Sequence, residues 1–219
     1  VMAMGVNPSG SGVQDGFKDF LKMKVYSAKI HNVALTADEV AKSTSTNGYL
    51  WDVSANNDKS IIASTSSFNA PYTVNIESSS TIYANANANY LFALIGYNDN
   101  CNDTQVIENI GNLDVSNSTS MLRMFFNTGV NSMTSLKLGD KFDTSNVTSM
   151  ASMFSGTGKR NMTSLEFGKK FNTSKVTDMK YMFHDCGYDK MTSLNLENFN
   201  TSNVKYMQYM FLGCGYTSM

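Results

Sequence analysis

The stretch FDTSNVTSMASMFSGTG (Phe142–Gly158) returns a few residues later as FNTSKVTDMKYMFHDCG (Phe171–Gly187), its methionines and phenylalanines kept and the residues between them exchanged. A fixed period of this kind decides an architecture before any single motif does. With Leu113, Phe142, Phe171 and Phe199 taken as equivalent, four copies follow one another at 29, 29 and 28 residues. Each copy carries a methionine (Met121, Met150, Met179, Met207) and, three residues on, Met124-Phe125, Met153-Phe154, Met182-Phe183 or Met210-Phe211. Apolar residues at i, i+3, i+6 and i+7, as in Val147, Met150, Met153 and Phe154, have the spacing of one helix face, so a short helix is predicted in every copy. The preceding Thr144-Ser145, Thr173-Ser174 and Thr201-Ser202 are suited to cap its start. Gly129, Gly158, Gly187 and Gly215 stand four residues after the phenylalanine, where a chain leaving a short helix turns through positive φ.

A second apolar pattern follows each glycine: Met133-x-x-Leu136-x-Leu138, Met162-x-x-Leu165-x-Phe167 and Met191-x-x-Leu194-x-Leu196. Its closing alternation is that of a short strand with one buried face. Strand, loop, helix and return make one coil. A unit this small cannot bury its apolar stripe alone, so copies stack and their stripes merge. The expected fold class is therefore α/β, a solenoid of 28–29-residue coils starting at residues 113, 142, 171 and 199, the last one truncated. The repeated methionines are its core filling. The outward strand positions, Ser135 and Lys137, Ser164 and Glu166, Ser193 and Asn195, are the candidate binding residues.

Composition narrows the function. The 219 residues hold 17 Lys+Arg against 18 Asp+Glu, too balanced a charge for nucleic acid or an anionic membrane. Charged residues make up only 16% while Ser, Thr and Asn abound, which fits an extracellular protein. No run of about 18 apolar residues is present to span a membrane. Cys101, Cys186 and Cys214 are too few and too scattered for a disulfide framework or a paired zinc site. Cys186 and Cys214 are equivalent in adjacent copies, and neighbouring free thiols are expected there. The chain opens at Val1 and stops at Met219 inside a copy, so it reads as a piece of something longer.

Little in the sequence points to catalysis. The two histidines are His31, in a strand-like segment, and His184, at an exchangeable repeat position beside Asp185; no G-x-S-x-G turn accompanies them. The acidic stretch YNDNCNDTQVIE (Tyr97–Glu108) would place a thiol at a calcium-ligand position and has no turn glycine. Glycines recur one per coil instead of clustering around a phosphate. Asn-x-Ser/Thr triplets such as Asn146-Val147-Thr148 are products of the repeat. No catalytic, cofactor or metal residues are expected.

The segments LDVSNSTSM, FDTSNVTSMASMF and FNTSKVTDMKYMF, each followed by MTSL-x-L/F, resemble the BspA-like leucine-rich-repeat proteins of bacterial cell surfaces, over residues 113–219. The resemblance implies a leucine-rich-repeat surface module that adheres to a host or matrix protein. Residues 46–112, with WDVSANNDKSIIA and IYANANANYLF, look like the non-repeating, β-rich region that commonly precedes and caps such arrays. Upstream, FKDFLKMKVYSAKIHNVALTADEVAKS (Phe17–Ser43) is similar to the closing strand and tail of a concanavalin A-like, laminin-G-like lectin domain. It implies that residues 1–45 are a β-sandwich remnant and that the parent binds a glycan. Thr36 and Glu39 also form a capping box on their own account. A structural spacer is the third reading. Met219 aligns with the strand-opening Met133, Met162 and Met191, leaving an uncovered edge at which self-association is expected.

Overall fold

The computed structural model describes residues 25–31, 50–52, 61–65, 72–78, 81–97 and 106–217. Strands β1 (Val25–His31), β2 (Leu50–Asp52), β3 (Ile61–Thr65), β4 (Tyr72–Ser78) and β6 (Ile107–Glu108) form one mixed sheet in the order β2-β3-β4-β1-β6. β1 lies parallel to both β4 and β6, whereas β2, β3 and β4 run antiparallel in turn. The strand expected to close a lectin-like sandwich thus lies between β4 and the edge strand β6, in a sheet whose other strands come from residues 50–108. Thr36 and Glu39 lie outside the described residues.

From residue 81 onward the chain winds in coils that stack on one another. β5 (Ile82–Tyr83) pairs in parallel with β7 (Leu113–Asp114), and β8 (Ser135–Lys137) with β9 (Ser164–Glu166). Single parallel bridges join Asn87, Ser120, Ser149, Asp178 and Tyr206 from coil to coil.

The short helix predicted in each coil is not there. In its place the structure has a run of linked tight turns, as over residues 151–161. The N–H groups of Met153, Ser155 and Thr157 donate to the carbonyls three residues back, while those of Met150, Ser152, Phe154 and Gly156 donate to Asp178, Lys180, Met182 and His184 of the next coil. A helix would spend nearly every N–H within its own segment; here alternate donors are released to bind the neighbour. The alternation requires left-handed residues in register: Arg123, Ser152, Tyr181 and Tyr209 have φ of 54, 53, 56 and 57°, and Asn127, Gly156, Asp185 and Gly213 repeat the pattern four residues on. Two such turns in succession aim i, i+3 and i+4 inward, which is why the apolar spacing reads as helical.

The expected caps act across coils as well. Thr144 Oγ1 donates to the Asn172 carbonyl at 2.8 Å and accepts from the Asn172 N–H at 2.7 Å, and Thr173 does the same with Asn200. The local turn is instead closed by the preceding Asp or Asn: Asp143 accepts from the Ser145 N–H, Asn172 from Ser174 and Asn200 from Ser202. Ser145 bonding, and then Lys170, hold the Asp143 carboxyl below its usual range.

Inward, Phe92, Phe125, Phe154, Phe183 and Phe211 form one column with ring centroids 5.3–5.6 Å apart and planes within 13° of parallel. Met121, Met150 and Met179 are fully buried beside it, as are Met124, Met153 and Met182. Gly158 (φ +54°) is fixed by this packing, since a Cβ there would run into Met162. At Gly168 adjacent coils touch backbone to backbone, and a Cβ would meet the Gly139 carbonyl.

Phe92 heads the column from a coil that the repeat alignment left in the cap region. Ala88, Tyr90, Phe92 and Leu94 donate to Ser120, Leu122, Met124 and Phe126, the same ladder as in later coils. Stacking therefore begins before Leu113, at a spacing of 33 residues between Phe92 and Phe125.

Candidate binding site

Two surfaces of the stack offer side chains that the core does not use. On the strand side, the register sets Ser135 beside Ser164 and Lys137 beside Glu166. Lys137 Nζ and Glu166 Oε1 lie 3.0 Å apart with both side chains mostly exposed, so these two candidates satisfy each other across coils. Ser135 and Lys137 line a depression of about 390 Å³ against residues 107–112; Glu166 and Asn195 line another of about 250 Å³ with Phe167 and Asn198. Ser193 and Asn195 are exposed, and no ladder pairs their segment with β9. The six candidates thus share a side of the molecule without converging on one point.

The turn side holds a depression that the repeat pattern did not reveal, of about 350 Å³. Its floor is Ser152, Ser155 and Gly156; the coil before supplies Arg123, Phe126 and Asn127 at those positions, and the coil after supplies Tyr181, His184 and Asp185. One coil with only small residues between two with large ones leaves a trench one coil wide. The sequence signal is visible once the αL columns are aligned, but period alone assigns these positions to solvent.

Both walls are braced. Arg123 Nη1 donates to the Tyr90 hydroxyl at 3.1 Å, and its guanidinium carbon lies 5.8 Å from the Tyr90 ring centre and 5.2 Å from that of Phe126. Tyr181 stacks on Tyr209 at 5.2 Å and meets His184 edge-on at 5.7 Å. Lys159 bonds Asp185 at 2.8 Å and lies over the Tyr188 ring.

This cluster brings Ser152, Ser155, His184 and Asp185 together, so catalysis needs a direct test. Asp185 is engaged by Lys159, and His184 Nδ1 is 3.8 Å from its carboxylate, beyond hydrogen-bond length. No hydrogen bond joins His184 to a serine among the described residues, so the base–nucleophile contact of a triad is missing. What the trench offers is a fixed cation, aromatic walls and hydroxyls. Cys186 and Cys214 are both free, the first buried and the second half-buried. They occupy the column in which Thr128 and Thr157 bond the Phe92 and Phe125 carbonyls. Burial, with the neighbouring Cys214, pushes the Cys186 thiol well above its ordinary value, and burial takes Cys214 to about 11. No group of His, Cys, Asp and Glu among the described residues could hold a metal ion, and no described helix is long and apolar enough to cross a membrane. His31 belongs to β1; most of the Tyr97–Glu108 stretch, Cys101 included, lies outside the described residues.

No curated protein and no solved structure matches the chain. Residues 129–217 match a family described as "Mycoplasma protein of unknown function, DUF285", so the part of the chain that is similar to it is the stack of coils from Gly129 onward.

Proposed function

We propose that this chain is a non-enzymatic adhesion module of a bacterial surface protein, a leucine-rich-repeat solenoid of the BspA-like kind that recognises a host or matrix protein through its outward side chains. The observation that carries this reading is the division of labour in every coil. Inward columns repeat Met and Phe almost without change, while the residues beside them differ from coil to coil: Lys137 stands beside Glu166, and Arg123 is followed by Ser152 and Tyr181. A stack built this way varies its surface without disturbing its core, and such arrays characteristically bind along an extended face. The matched family has no stated function and adds no activity to this argument.

The test is binding of the purified chain to a panel of purified matrix proteins. Loss of binding in the Lys137→Ala/Glu166→Ala variant supports recognition through the strand side, whereas competition by simple sugars transfers the function to the lectin-like segment. Failure to bind any protein or sugar leaves the spacer reading.

A further inference from the structure

Several charges on this stack pair with an opposite charge in the neighbouring coil. Lys137 with Glu166, Asp140 with Lys169 and Arg160 with Asp189 are each 29 residues apart and lie within 3.1 Å. Arg123 is placed differently. Its counterpart 29 residues on is Ser152, no carboxylate among the described residues pairs with it, and its Nε is buried without a hydrogen-bond acceptor. The guanidinium is nevertheless held in place by Tyr90 and Phe126, at the wall of the trench. A cation fixed by its neighbours has already lost the side-chain freedom that an anion would otherwise have to freeze out.

We propose that the turn-side trench is a docking site for an acidic side chain of a protein partner, with the carboxylate on Arg123 and an adjoining apolar group between Phe126 and Tyr181. A carboxylate is the planar group that a guanidinium fork holds best. The floor cannot add a strand to itself, since the Ser152 and Gly156 N–H groups are spent on Lys180 and His184; recognition there is through inserted side chains. The proposal deepens the protein-binding reading and rests on it.

The probe is the acetylated, amidated tetrapeptide Gly-Glu-Phe-Gly, titrated into isotope-labelled protein by NMR. The Ser152, Ser155 and Gly156 amides should shift, with binding at least about fivefold weaker for the Gln-containing peptide and weaker again in about 0.5 M salt. Ser152→Tyr fills the trench without straining the fold, because Tyr90, Tyr181 and Tyr209 hold the same column at φ of 58, 56 and 57°; it should abolish the shifts, as should Arg123→Gln. Lys137→Ala/Glu166→Ala should leave them unchanged, which separates this site from the strand-side reading. Undiminished binding by Ser152→Tyr, no shift at millimolar peptide, or displacement of the peptide by glucuronate would each overturn the proposal.

Discussion

The turn segments at 150–158 and 207–215 share both methionines, the phenylalanine and both glycines but differ in environment. Met150, Met153 and Phe154 are completely buried, whereas Met207 is 42% and Phe211 46% exposed and only Met210 of the three counterparts stays buried. The φ pattern is the same in both, positive at Ser152, Gly156 and Gly158 and again at Tyr209, Gly213 and Gly215. What differs is the neighbour. The segment at 150–158 gives the N–H groups of Met150, Ser152, Phe154 and Gly156 to the next coil; among the described residues the segment at 207–215 gives none forward, its carbonyls at Gln208, Met210 and Leu212 accept from Tyr181, Phe183 and Asp185, and Gly215 donates back to Cys186. A coil's conformation is thus written in its own residues, but its burial belongs to the pair, as nearest-neighbour stability in a stacked array requires.

The largest effect should come from removing one ring at each position. Phe154→Ala deletes a ring stacked on both sides and should cost about 3–5 kcal/mol, the usual range for a buried phenylalanine, with Met153→Ala at about 2–5 kcal/mol. Phe211→Ala, stacked on Phe183 alone, should cost less than half as much. Urea denaturation of the three variants measures the difference; equal losses for Phe154 and Phe211 would mean that burial does not follow from the neighbour.

Adding a neighbour sharpens the comparison from the other direction. The N–H groups of Met207, Tyr209, Phe211 and Gly213 have no acceptor among the described residues, although their counterparts in the preceding coil all do. Two copies meeting edge to edge would set these donors against donors, so the self-association expected from the sequence has apolar attraction in its favour and backbone pairing against it. A further coil offers carbonyls in register. Appending residues 192–219 after Met219, which stands where Met191 does, should protect those four amides from hydrogen exchange by roughly a hundredfold, about 3 kcal/mol of local stability, and reduce association in sedimentation. Unchanged exchange would show that the bonding of interior coils is not transferable.

Much of this was legible in the sequence. The period, the inward Met and Phe columns, the glycines at positive φ and the register of Leu136 on Leu165 all follow from spacing. The helix did not survive, because spacing reports which side chains face inward and is silent on where alternate N–H groups go. Thr144 was misassigned for a related reason: a hydroxyl that could cap its own segment instead clamps Asn172 in the next coil, a partner 28 residues away. Phe92 escaped because its coil is longer. The trench escaped because it is a contrast between coils, whereas a period reports only what they share.

A moderate effect separates the two kinds of left-handed position. Gly158→Ala should cost about 1–3 kcal/mol, for the strained φ and the collision with Met162. Ser152→Gly, which relieves a side chain at φ 53°, should be neutral or raise stability by up to about 1 kcal/mol. Thermal unfolding distinguishes them, and a large loss for Ser152→Gly would mean that its hydroxyl matters to the coil.

The smallest effect concerns the two thiols, again one interior and one in the last coil. Both ionise less readily folded than free: Cys186 because it is buried and faces Cys214, Cys214 because it is partly buried. A folded thiol whose pKa lies above its unfolded value stabilises the fold fully below the unfolded value, and that contribution is lost as pH rises through the folded value. The protein should therefore weaken between about pH 9 and 11, the ordinary thiol value and that of Cys214. Iodoacetamide should modify Cys214 before Cys186, and both more slowly than in urea. Cys186→Thr with Cys214→Thr restores the residue found at Thr128 and Thr157, whose hydroxyls donate to buried carbonyls at 2.7 Å, and should flatten the alkaline loss. An unchanged slope between pH 9 and 11 in that variant would assign the loss to other groups and remove the thiols from the comparison.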